Sequence, residues 1–317
     1  MASELHLHLD GSMRIGTLVE LARFGGISLP SYDAKELLSQ IKFKQGMTQE
    51  ECLAAFATTL SVMQTEYAIS RIAYEICEDN WNRGINHVEI RYCPFLHQGK
   101  GLGIEAIVGA VQRGISLAEK NCGIRACQIF GALRHDTAER SEELAGIASY
   151  YHKEKPDYKV AGFDLCCAEA NNPPWKHDKA FMIAQEAGLK ITVHAGEVPG
   201  SLDYLRYAIC AMKADRIGHG TLLIEDERLI QTAKRLGTTI ECCVTSNVHT
   251  GIIKDLTEHP AKRLFDAGVR IAFCADNSLL SQTTMERELR IAMHVLGFTK
   301  EDLEKCLKYS DEARFLK

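Results

Sequence analysis

What most limits the fold of this chain is an alternation that runs about eight times: a short β-like segment, then a stretch with helical spacing. The segments are ELHLHLD (4–10), HVEIRYCP (87–94), IRACQIFGAL (124–133), VAGFDLCC (160–167), LKITVHAG (189–196), DRIGHG (215–220), TTIECCVTS (238–246) and VRIAFCADN (269–277). Several are continuously apolar, as parallel strands covered on both faces are. Stretches such as DKAFMIAQEAG and DERLIQTAKRLG carry helical periodicity and stop at glycine just before the next strand. Eight such units predict an α/β fold, a (β/α)8 barrel, with a doubly wound sheet as the competing architecture. At 317 residues and 46% hydrophobic, the chain can form one barrel domain over 1–317. Segment 13–86, between strands one and two, is helical in pattern and too long for one crossover helix. Extra helices are expected there, as a wall or lid at one end of the barrel.

Several function classes are disfavoured. The net charge is −5 with no basic stripe or block, so no nucleic-acid surface is expected. No apolar stretch reaches the ~20 residues of a membrane span, and the N-terminus has no basic-then-apolar leader. Twelve cysteines lie partly in apolar runs and form no CxxC pattern. Reduced thiols and a cytoplasmic location are the expectation.

In such a barrel the chemistry lies at the C-terminal ends of the strands. In ELHLHLDGS, period-two alternation puts His6, His8 and Asp10 on one face and Leu5, Leu7 and Leu9 on the other. An HxH alone is as compatible with structural or solvent-facing histidines as with a metal. The other strand ends change the weighing. Strand five ends in VHAGE (His194, Glu197), strand six in GHG (His219), and strand eight in ADN (Asp276, Asn277). Three histidines and an aspartate converging on one mouth are nitrogen and oxygen ligands that suit zinc.

ELHLHLDG, VHAGE, RIGHG, TSNVHTG and the late CADN, in this order and spacing, resemble the adenosine deaminase family of the amidohydrolase superfamily. The resemblance runs from residue 4 to the terminal DEARFLK. It implies a (β/α)8 barrel with one Zn2+ per chain, held by His6, His8, His194 and Asp276. It implies hydrolytic deamination of adenosine or 2′-deoxyadenosine, with Glu197 protonating purine N1 and His219 and Asp276 beside the reacting water. His8 and Asp10 would meet substrate, Asp10 at the ribose 5′-hydroxyl; a helix cap is the structural alternative for Asp10. Some amidohydrolases bridge two metals with a carboxylated lysine at the end of strand four. Here Lys159 opens that strand, so one metal is expected.

Two positions depart from the family pattern. Asn277 stands where a second aspartate usually contacts purine N7; its amide can still donate a hydrogen bond. Cys167 stands where a glycine N–H usually meets purine N3, and a Cβ there could crowd the base. Another aminopurine (adenine, a 5′-modified or an N6-substituted adenosine) is therefore the alternative substrate, and an inactive nucleoside-binding protein a third reading. The expected partner is a small purine nucleoside; oligomeric state is not readable. Leu53 and Phe56 are candidate lid residues or plain helix core. His87 and His97 read as core or rim, and Arg134-His135 as a possible pocket edge. Arg216 reads as a structural ion-pair partner, and Ser246 and Asn247 as supports of the loop behind His219.

Overall fold

The computed structural model describes residues 2–317. Eight parallel strands stand in sequence order: β1 (Ala2–His8), β2 (Ile85–Tyr92), β3 (Arg125–Leu133), β4 (Val160–Cys166), β5 (Lys190–Ala195), β6 (Arg216–His219), β7 (Thr239–Cys242) and β8 (Arg270–Phe273). The β4–β5 seam is held by only two register pairs, Gly162 with Lys190 and Phe163 with Ile191. The circle closes just past β8, where Asp276 N donates to His6 O at 2.9 Å and His8 N to Asp276 O at 2.8 Å. The expected (β/α)8 barrel is the observed fold. Its closing stitch is made by a candidate metal ligand.

Helices α1 (Ile15–Gly25), α2 (Ala34–Ile41), α3 (Gln49–Val62) and α4 (Glu66–Asn82) fill the long first connection. Of these, α4 packs on β2 and against α5 (Ile104–Cys122) as the ordinary crossover helix, while α1, α2 and α3 pack on one another. The outer layer continues with α6 (Ala138–Glu154), α7 (Asp178–Ala187), α8 (Leu202–Cys210) and α9 (Glu227–Leu236). Gly188 and Gly237 terminate α7 and α9 in left-handed geometry, as the glycine stops predicted. Short α10 (Val244–His249) and α11 (Ala261–Asp266) precede α12 (Met285–His294) and α13 (Lys300–Glu312).

Two details differ from the sequence reading. The pairing of β1 with β2 shifts register between Glu4 and Leu7. This bulge breaks strict alternation: Leu5 joins a small cluster with Cys243, Ala272 and Cys274, away from Leu7 and Leu9 in the main core. The buried Glu4 carboxylate holds it, accepting from His6 N at 3.1 Å and Ala275 N at 3.0 Å. The second difference is strand seven. It ends at Cys242, not at residue 246, because Val244–His249 is helical. The Glu288 carboxylate, brought from α12, accepts from Thr245 N at 3.1 Å and caps that turn.

The barrel interior is charged as well as apolar. Arg91 joins Asp164 and Glu241, each at 2.9 Å. Arg216 joins Glu89 and Glu241, each at 2.6 Å, so its structural reading holds. His87 and His97 are buried, the first 3.1 Å from Glu89, the second 3.1 Å from Met63 O. Lys159 pairs with Glu119 at the N-terminal end of β4. All twelve cysteines are free thiols.

Candidate active site

His6 and His8 leave β1 at its C-terminal end, His194 leaves β5, and Asp276 follows β8. Each offers one ligand atom, and the four atoms lie within 4.8 Å of one another. Asp276 Oδ1 is 3.4 Å from His6 Nε2 and 3.3 Å from His8 Nε2. His8 Nε2 and His194 Nε2 face each other at 3.1 Å. The outer ring nitrogens are anchored: His6 Nδ1 lies 2.7 Å from Glu241, and His194 Nδ1 3.1 Å from Asp164. A carboxylate behind Nδ1 accepts the N–H hydrogen bond, keeps the ring proton there and leaves the Nε2 lone pair pointing inward, the arrangement of metal-binding histidines. Burial keeps His8 and His194 below the usual imidazole range and so neutral, as ligands must be. His6 Nε2 is buried with no hydrogen-bond partner. An orphaned imidazole nitrogen among two others and a carboxylate fits a resident cation. Gly218, the first glycine of GHG, permits this closeness; a Cβ there would stand 2.9 Å from the His6 ring.

A cavity of about 210 Å³ opens over this cluster. It brings together His8, Asp10, Cys167, His194, Glu197, His219, Asp276 and Asn277, with His6 beneath them. Leu53 and Phe56 of α3 line it beside Phe43, Cys52 and Leu60, so the extra helices do form a wall. His135 lines it too, whereas Arg134 is buried behind it. Asp10 lies past the end of β1, on the turn rather than in the strand. Its Oδ1 is buried without a partner, and burial raises its pKa to about 7. Asn277 rests on Gly11, where a Cβ would fall 1.8 Å from Asn277 Oδ1. Three site residues adopt left-handed backbone: His219 (φ 65°), Asp276 (φ 62°) and Cys167 (φ 72°). This region suits glycine best and is tolerated by Asp and His more readily than by Cys.

Glu197 and His219 face each other, Oε1 to Nε2, at 3.5 Å. Burial first, then the charges of Asp276 and Glu169, push the Glu197 carboxyl well above its ordinary range. Burial holds His219 well below its own.

The sequence reading missed several of the supports behind this site. Glu169 accepts from Gly196 N, Glu197 N and Val198 N at 2.9, 2.8 and 3.2 Å, three successive amides of the turn carrying Glu197. Arg134 donates to His194 O at 2.5 Å and lies 3.8 Å from Glu169. Glu241 and Asp164 orient the histidines. For the three acids, the only sequence signal is a carboxylate three residues past a strand end (Glu169) or mid-strand among apolar neighbours (Asp164, Glu241).

A closed parallel barrel whose strand ends gather three imidazoles and a carboxylate defines the class: a metal-dependent amidohydrolase barrel. Within that class the family is specific. The model of the family described as Adenosine deaminase matches residues 2–317, and the chain belongs to that family and is an aminohydrolase. The probable adenosine deaminase of Dictyostelium discoideum is 36% identical over 321 residues, 99% of this chain; this chain spans 40% of that protein's length. The adenosine deaminase of Clostridium botulinum is 34% identical over 314 residues, covering 98% of this chain and 92% of its own. Among solved structures, the adenine deaminase of Arthrobacter aurescens matches with a TM-score of 0.91 at 26% identity, covering 100% of this chain and 94% of its own. No helix among the described residues is long and apolar enough to cross a membrane.

Proposed function

We propose that this chain, acting over 1–317 as one catalytic unit in the cytoplasm, deaminates adenosine and 2′-deoxyadenosine hydrolytically to inosine and 2′-deoxyinosine. One zinc ion per chain would be held by His6, His8, His194 and Asp276. Bound there, it supplies a Lewis acid that makes water nucleophilic near neutral pH. The observation that carries the reading is the joint presence, in one cavity, of that donor set and a Glu197 carboxyl raised by burial.

The chain's own residues then divide the work. Glu197 protonates purine N1, which draws electrons from C6 and opens it to attack. Asp276 and His219 flank the attacking oxygen; the Asp276 carboxylate, 3.3 Å from His8 Nε2, can take the water proton. The exocyclic amine leaves C6 as ammonia with the proton that Asp276 took from water, and the C6 hydroxyl returns a proton to Glu197 as the carbonyl forms. His8 forms part of the floor against the base. Asp10 accepts from the ribose 5′-hydroxyl, which would satisfy its orphaned Oδ1. Cys167 offers its backbone N–H to N3, and Asn277 its amide to N7.

A neutral nucleoside is favoured over a nucleotide. Arg91 is the one Lys or Arg among the cavity's lining residues, and its guanidinium is engaged by Asp164, Glu241 and Leu5 O. Among the described lining residues no Lys or Arg is left to hold a phosphate. A second reading, a related aminopurine substrate such as adenine or a 5′- or N6-substituted adenosine, is favoured by the Cys167 side chain in the cavity at φ 72°. The test is ammonia release from adenosine, 2′-deoxyadenosine, adenine, N6-methyladenosine and adenylate. Adenosine and its 2′-deoxy form should lead in kcat/KM. A lead by adenine would remove the role of Asp10, and a lead by adenylate would contradict the cavity's lack of a free cation.

A further inference from the structure

Behind His219 runs a chain of hydrogen bonds whose direction can be read from one end. Ala261 N lies 3.2 Å from His259 Nδ1. A backbone N–H can only donate, so Nδ1 accepts and the proton of the neutral His259 ring is on Nε2. The ring is neutral because burial lowers its pKa to about 3. Nε2–H therefore donates to Asn247 Oδ1, 3.2 Å away. This fixes the amide orientation, which coordinates alone leave open. The Asn247 Nδ2 group then donates to His219 Nδ1 at 3.1 Å. His219 Nδ1 accepts, so the proton of that neutral ring sits on Nε2. On that side Glu197 Oε1 stands 3.5 Å away. All three residues of the relay are buried.

We propose that Asn247 and His259 are positioning residues that hold His219 as its Nε2–H tautomer, so that His219 donates a hydrogen bond to the attacking oxygen instead of taking its proton. The proton then has one destination beside the reacting atoms, Asp276. No proton moves along the relay during turnover; it sets a tautomer and keeps it. The inference rests on the proposed reaction only for what His219 donates to; the tautomer itself follows from the hydrogen bonds.

The experiment is side-chain 15N NMR of the histidines on the zinc-loaded enzyme, with kinetics on two variants. In the wild type, His219 Nε2 should carry the proton and Nδ1 should not; the opposite pattern overturns the proposal, whatever the substrate proves to be. In Asn247→Asp the carboxylate only accepts, so the His219 proton should move to Nδ1. With zinc content unchanged, kcat should fall about 10²–10³-fold, the usual cost of one donor aimed at a reacting oxygen, with KM within about threefold. His259→Gln keeps a side-chain N–H for Asn247 and should retain the tautomer and most of the rate. A moved proton with an unchanged kcat would show that the tautomer does not matter and would also overturn the proposal. If Asn247→Asp fails to fold, the wild-type spectrum still decides.

Discussion

Glu241→Gln is a small change in shape with a large expected effect. The Glu241 carboxylate is fully buried; it meets His6 Nδ1 at 2.7 Å, Arg91 at 2.9 Å and Thr192 Oγ1 at 3.1 Å, and Arg216 stands beside it as an ion-pair partner at 2.6 Å. Glutamine has one acceptor oxygen and one amine. Whichever way the amide turns, the amine meets a guanidinium, Arg91 and His6 on one side or Arg216 and Thr192 on the other. Volume is conserved, so the cost is electrostatic. Removing one partner of a buried ion pair costs about 3–5 kcal/mol, against a total stability of about 5–15 kcal/mol. Metal binding suffers as well. An amine facing His6 would force the ring's proton onto Nε2, the atom that faces the metal. Loss of such a support typically weakens metal affinity about 10–100-fold. Urea unfolding of the metal-free protein should show the first effect and competition with a zinc chelator the second. A stability loss below about 1 kcal/mol would refute the view that this carboxylate anchors two arginines and a ligand.

Other outcomes follow from the same geometry. Glu197→Gln should keep its zinc but lose about 10²–10⁴-fold in kcat. Because the wild-type acid must be protonated and its pKa is raised, kcat should fall as pH rises through that pKa, and the variant should lack this limb; an identical pH profile would count against the assignment. His97, lowered by burial from 6.5 to about 4, is neutral in the fold but charged in the unfolded chain at acid pH. Its contribution is present above pH 6.5 and is lost as pH falls towards 4. The loss is on the order of 3 kcal/mol, and the pH slope of urea stability should shrink in His97→Gln. If Asn277 donates to purine N7, 7-deazaadenosine should bind about 2–13-fold more weakly than adenosine; equal inhibition and substrate constants would show that it does not.

The site was legible because each of its donors sits at the end of an apolar run. ELHLHLD, VHAG and RIGHG announce where a strand stops, and parallel strands of one barrel must stop at one mouth. The structure brings all nine named candidates to that mouth. Less legible was anything decided by a distant partner. TTIECCVTS reads as one strand because its apolar run continues past Cys242; the turn into α10 is captured by Glu288, 43 residues away. The β1 bulge depends on where the Glu4 carboxylate lands, on His6 N and Ala275 N. The buried charges were hardest. Glu89, Arg91, Asp164, Arg216 and Glu241 each look like an isolated polar residue in a strand, and only barrel closure turns them toward one another. Asn247 was readable as a support of the loop behind His219, but the tautomer we propose for His219 needs His259 and the Ala261 amide as well.

The measurement nearest the central claim couples metal content to turnover on one sample. Purified protein is analysed for zinc, assayed for inosine and ammonia from adenosine, stripped with a chelator, assayed again, and reloaded with zinc. The account expects about one zinc per chain, loss of inosine formation with loss of zinc, and recovery in proportion to zinc returned, with His194→Ala recovering neither. Protein that carries stoichiometric zinc and leaves adenosine untouched, or that forms inosine at full rate without the metal, would contradict it.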